Sequence, residues 1–140
     1  MEPGTTSQMT GGKDKGSNTR DPKLITLLFN ECINHQDLNG LSSLMADDHA
    51  FIDRDGSVHQ PRQMMVDGWR EFFKQFPEYH NIFNRIESRE NLVLILGHGH
   101  WSEKNPYDPV IWTSTIVHDL VHEWRIYDDT PENRKRLNLV

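Results

Sequence analysis

The sequence predicts an α+β fold, with helices first and a curved antiparallel sheet after them. Three observations predict it. Apolar residues recur at three- and four-residue spacing as far as Phe76. From Tyr79 onward the chain changes to aliphatic and β-branched runs separated by short polar turns. Pro77 stands at the change, where it ends a helix.

Each element has a local signal. Asp21-Pro22 is a helix start, with Asp as cap and Pro in the first turn. Leu24, Leu27, Leu28 and Cys32 follow at helical spacing, so a first helix is expected over 23–35. Asp37 caps a shorter helix with Leu38, Leu41, Leu44 and Met45 on one face. Residues 50–53 read as a short strand, and Arg54-Asp55-Gly56 as a tight turn. Pro61 begins a third helix, whose Met65, Trp69, Phe72, Phe73 and Phe76 form a bulky apolar stripe. Strands are expected over 79–87, 92–102, 109–118 and 121–128. Thr130-Pro131-Glu132 starts a last helical turn.

The totals set bounds. A chain of 140 residues is one domain's worth and can bury a real core. Residues 1–20 hold four glycines, four threonines and two serines with almost nothing apolar, so they read as a flexible tail ahead of a domain over 21–140. That tail holds Lys13, Lys15 and Arg20 against Glu2 and Asp14, a balance of +1. The rest therefore carries −7 against a chain total of −6, which disfavours nucleic acid as a partner. No apolar run approaches a membrane span, and no signal-peptide pattern is expected at the N-terminus. Cys32 is the one cysteine, so no internal disulfide forms and a cytoplasmic location fits. In an amphipathic helix it reads as a small buried hydrophobe.

His98-Gly99-His100-Trp101 is the sharpest local motif. Residues i and i+2 of a strand share a face, so the two imidazoles point the same way. In one reading they line a pocket as proton-transfer groups, and the flanking glycines leave room near the backbone. In the other they sit on the outer surface of the sheet. No metal is expected, because a third ligand would have to come from another strand. Asp53, at a strand end, is either a turn residue or an acid facing the interior, where burial would suit it for acid/base work. Trp69, Trp101, Trp112 and Trp124 are a heavy tryptophan load. They fit a pocket for a flat or apolar small molecule, and equally a core or a dimer face. No G-x-S-x-G, G-x-G-x-x-G or P-loop pattern occurs, so no cofactor is expected.

The run from Asn34 to Asp53 reads as a helix end, a second helix and an acid-bearing strand. It resembles the opening of the nuclear transport factor 2-like (NTF2-like) superfamily, and of ketosteroid isomerases and SnoaL-type polyketide cyclases within it. Phe76-Pro77 before Tyr79-His80-Asn81, and the close Val121-His122-Glu123-Trp124-Arg125-Ile126-Tyr127-Asp128-Asp129, resemble the SnoaL-like group. The resemblance covers about residues 21–137 and implies a cone-shaped α+β fold around a pocket, with a homodimer through the outer sheet face. It places Asp53 at the isomerases' proton-shuttling aspartate. Their oxyanion-donating tyrosine falls at Phe29, and their second donor near Trp112 and Thr113, so both donors are missing and steroid isomerisation is not expected. The expectation is a protein for a small apolar or aromatic molecule, either a cofactor-free isomerase, cyclase or hydratase or a non-catalytic binding or dimeric interaction domain. Asp53 with His98 or His100 would be the acid/base pair. Phe29, Trp69, Phe73, Trp101, Trp112, Trp124, Tyr127 and Asp128 would line the substrate site.

Overall fold

The computed structural model describes residues 17–139. Helix α1 spans Pro22–Asn34, capped by the Asp21 carboxylate, which accepts from the Lys23 N–H at 2.9 Å. Its buried face is Ile25, Thr26, Phe29, Asn30 and Ile33. The expected stripe of Leu24, Leu27 and Leu28 lies on the other side, partly exposed. The helix carries two apolar stripes, and spacing alone does not rank them. Cys32 is correspondingly only half-buried.

Helix α2, Leu38–Leu44, is capped by Asp37 through the Gly40 N–H. Met45 does not end this helix. It starts strand β1, Met45–Ile52, because it pairs in parallel with Val121. A turn through Gly56, whose φ is 85°, joins β1 to the short strand β2, Val58–His59. Helix α3 is Arg62–Gln75. Strands β3 (His80–Arg89), β4 (Leu92–His100), β5 (Asp108–Val117) and β6 (Leu120–Asp128) follow, then helix α4, Pro131–Arg136. The sheet order is β2-β1-β6-β5-β4-β3, antiparallel except between β1 and β6. His118 and Asp119 both have positive φ, the two-residue hairpin geometry between β5 and β6.

The expected tail needs a correction at its end. Ser17 O accepts the His118 N–H, Asn18 donates to Ile116 O, and Thr19 N–H bonds the Asp119 carboxylate. These residues are tied to the β5–β6 turn, while the rest of the expected tail, 1–16, lies outside the described residues. No helix among the described residues is long and apolar enough to cross a membrane.

The inner sheet face is filled in two different ways. Helix α1 lies across β3 to β6 and buries Phe29 against Trp124, with ring centroids 4.8 Å apart. Helix α3 packs instead on β1 and α2. On the opposite face, Leu94, Leu96 and Ile111 are covered by Leu139. Arg89 ties that C-terminal segment down by donating to the carbonyls of Leu137 and Asn138.

A side-chain amide holds α1 to the sheet edge. Asn34 donates to Asn81 O at 2.9 Å and accepts from Asn81 N–H at 2.8 Å. It takes the place of a neighbouring strand at the open edge of β3. Asn81 in turn donates to Asn30 and accepts from the Tyr79 hydroxyl. Asn34→Ala leaves both edge groups without their partner. Urea denaturation is expected to show a loss of about 1–3 kcal/mol; an unchanged midpoint would show that the bridge is not holding the helix.

His49 is fully buried on β1, and its Nδ1–H donates to Val121 O at 2.8 Å. Burial holds its imidazole pKa below the ordinary value, against the opposing pull of that hydrogen bond. The unfolded chain therefore takes up a proton below about pH 6.5 that the folded chain resists. Stability from this group is complete above that value and falls as the pH drops through it, by at most about 1.4 kcal/mol per pH unit. His49→Gln is expected to flatten the fall in unfolding free energy between pH 7.5 and 5. An unaltered slope would assign the pH dependence to other groups.

Candidate functional site

Where α3 stands off the sheet, a cavity of about 310 Å³ opens between them. Its floor is Val110 and Trp112 of β5 and Ile126 of β6. Strand alternation puts these on the inner face, since Val110 and Trp112 belong to the interior core while Ile111 between them packs on the opposite side. Met64, Met65, Gly68, Trp69 and Phe72 of α3 form the facing wall. Trp69 stacks on Phe73 at 5.6 Å and meets Phe72 edge-on at the same distance. Phe72, Tyr79 and Trp101 close one end, with centroids 4.7–5.6 Å apart.

The polar groups of the site come chiefly from the β1–β2 hairpin. Phe51 faces inward, so the alternation brings Asp53 to the same side. The Asp53 N–H bonds Ser57 O, its carbonyl accepts from Gly56, and its carboxylate accepts from the Arg54 N–H at 2.8 Å. Asp53 is thus both the turn residue and a cavity-wall acid. His59, paired with Phe51 across the hairpin, also lines the cavity, with its Nε2 3.1 Å from Ser57 Oγ.

Arg54 locks the rim. Its guanidinium pairs with Asp108 at the start of β5 and with Asp128 at the end of β6, the latter at 3.0 Å. Burial works against its charge, but the two carboxylates outweigh it and raise its pKa above the ordinary value. Asp108 also accepts from the Trp101 indole N–H at 2.9 Å. Burial, reinforced by Asp108, raises the Tyr79 phenol well above its usual pKa, so it stays protonated and donates to Asn81. The Trp69 indole N–H is buried without an acceptor.

The expected site is therefore redrawn. Asp53, Trp69, Trp101 and Trp112 line the cavity. Phe29, Phe73 and Trp124 lie in the packed core beside it and do not line it. Asp128 reaches the site through Arg54. Tyr127 is on the opposite face, packed with Leu94 and Ile111.

His98 and His100 do share a face, but it is the wrong one for Asp53. Gly97 pairs with inward Val110 and His98 with Pro109, so both histidines point away from the cavity. His98 lies against Tyr107, and His100 stacks on His80 at 4.5 Å. The glycines beside them serve the protein's own packing. A Cβ on Gly99 would meet the Tyr79 hydroxyl at 3.1 Å, and one on Gly97 would meet Ile82 O at 2.0 Å. Among the described residues no three His, Cys, Asp or Glu side chains are grouped to hold a metal ion. Reading the sequence missed His59, Arg54 and Gly68. The signal for His59 was present, since the turn at 54–56 sets the hairpin register that faces it to Phe51.

No protein-family model matches the chain, and no curated protein sequence matches it. Solved structures do. A proposed SnoaL-like polyketide cyclase from Shewanella putrefaciens is 13% identical, with a TM-score of 0.69, over 86% of this chain and 87% of that one. An uncharacterised cystatin-fold protein from Novosphingobium aromaticivorans is 18% identical, with a TM-score of 0.68, over 76% of this chain and 97% of that one. An NTF2-like protein of unknown function from Cytophaga hutchinsonii is 8% identical, with a TM-score of 0.66, over 84% and 95%. With six curved strands, a concave helix-covered face and these neighbours, the chain has the α+β NTF2-like fold.

Proposed function

We propose that the cavity binds a small, mainly apolar or aromatic molecule and presents Asp53 to it as a proton acceptor and donor. One observation carries the reading: aromatic and aliphatic walls enclose a space with one hairpin-borne carboxylate and one imidazole at its rim. A cofactor-free isomerase, cyclase or hydratase needs that combination. The carboxylate takes a proton from carbon or from water and returns that proton to another atom of the same molecule, so the acid ends the cycle as it began. The polyketide-cyclase description of one fold neighbour agrees with this chemistry.

A non-catalytic carrier is the second reading, and one observation favours it. Tyr79, Trp101 and Arg54, the other polar groups near the cavity, already bond protein partners. None is left free to steady an oxyanion.

Gly68 gives the direct test of the pocket. It sits inside α3, where glycine costs about 1 kcal/mol relative to alanine. A Cβ placed there meets nothing within 4 Å. Gly68→Ala is expected to raise stability by about 0.5–1 kcal/mol. Gly68→Phe is expected to fill the cavity and weaken binding of apolar aromatic probes at least tenfold, read by quenching of wall tryptophan fluorescence. Undiminished binding in that variant would place the ligand elsewhere. Catalysis is tested separately, once a turned-over compound is found. Asp53→Asn should then lower kcat by about 10²–10⁴-fold; unchanged turnover would leave the carrier reading.

A further inference from the structure

We infer that this cavity selects a cationic ligand, an aromatic or alkyl amine or quaternary ammonium, with Asp53 as its counter-ion. The inference rests on the pocket reading above and names its ligand class.

The charge at the rim is one support. Asp53, Asp108 and Asp128 stand there with the single guanidinium of Arg54, a balance of −2 over these four side chains. The charges are not shared evenly. Arg54 spends its charge on Asp108 and Asp128, on the two strands facing it. The Asp53 carboxylate takes one bond, from the backbone N–H of Arg54, and among the described residues it joins no ion pair. Its negative charge is left over, on the cavity wall.

The lining is the other support, and it is independent of the first. Phe51, Trp69, Phe72, Tyr79, Trp101 and Trp112 surround the space beyond Asp53. Aromatic ring faces carry partial negative charge, and a cation within about 6 Å of a ring centroid is attracted to them. The rings meet at steep angles, 83° for Phe72 with Tyr79 and 76° for Phe51 with Trp69. The lining rings therefore lie in several planes rather than one. A neutral aromatic molecule would use the walls and leave the Asp53 charge without a counter-ion. A carboxylate ligand would face Asp53 directly and would have to displace Asp108 or Asp128 from Arg54, since that is the guanidinium lining the cavity.

The test compares three probes of similar size: benzyltrimethylammonium, its uncharged carbon isostere neopentylbenzene, and 3-phenylpropanoate. Binding to the full chain at pH 8 is followed by tryptophan fluorescence. The expected result is tightest binding of the ammonium. Asp53→Asn, which keeps an acceptor for the Arg54 N–H, should weaken the ammonium about tenfold and the neutral isostere less than twofold. Equal affinity for the ammonium and its isostere in the unsubstituted protein, or tighter binding of the carboxylate, would overturn the charge preference and leave the pocket standing. Binding by none of the three would overturn the pocket reading with it.

Discussion

Asn34 is the joint on which the rest of the fold depends. Its amide meets the backbone N–H and C=O of Asn81 together, as a neighbouring strand would. Two groups that an edge strand leaves open are satisfied, and α1 is fixed over the sheet at a set height. With α1 there, Phe29 and Ile33 fill the half of the inner face that lies over Trp124. That half becomes core. The same network continues through Asn81 to Tyr79, so the helix, the sheet edge and the closed end of the cavity are parts of one hydrogen-bonded unit.

The other half stays open because α3 is held elsewhere. It packs on β1 and α2, and its large side chains pack largely on one another. Trp69 and Phe72, backed by Phe73, form a self-supporting wall that does not have to collapse onto β5. Gly68 keeps part of that wall bare. The strand floor, Val110, Trp112 and Ile126, then borders the cavity. Open volume beside well-packed aromatics is what a binding site requires, and in this chain it arises from the placement of two helices on one sheet.

At the rim, one short hairpin supplies nearly all the chemistry. Its turn is closed by Gly56, and the backbone bonds across it hold Asp53 at the cavity edge. The next residue, Arg54, reaches across to β5 and β6 and pins the hairpin over the opening. Position and charge are therefore coupled. The acid that faces the ligand and the cation that closes the rim are chain neighbours whose side chains go to different partners.

The sequence by itself determined the order of the elements apart from the short strand β2, the helix caps at Asp21 and Asp37, and the turn at Gly56. These rest on neighbours in the chain, whose chemistry is local. It also placed His98 and His100 on a common face, because strand periodicity is local too. Which face that is was decided only by the tertiary structure. Strand β4 reads Leu-Val-Leu-Ile-Leu before Gly97, apolar at both parities, because both of its sides are buried. One side lies under α1 and the other under Leu139, which is distant in sequence. With no polar side to mark solvent, the alternation carries no sign, and the histidines went to the side away from Asp53. The two apolar stripes of α1 posed the same ambiguity, resolved when Asn34 found Asn81. Arg54 became a site residue through ion pairs to residues about 50 to 75 positions away, contacts that no local pattern encodes.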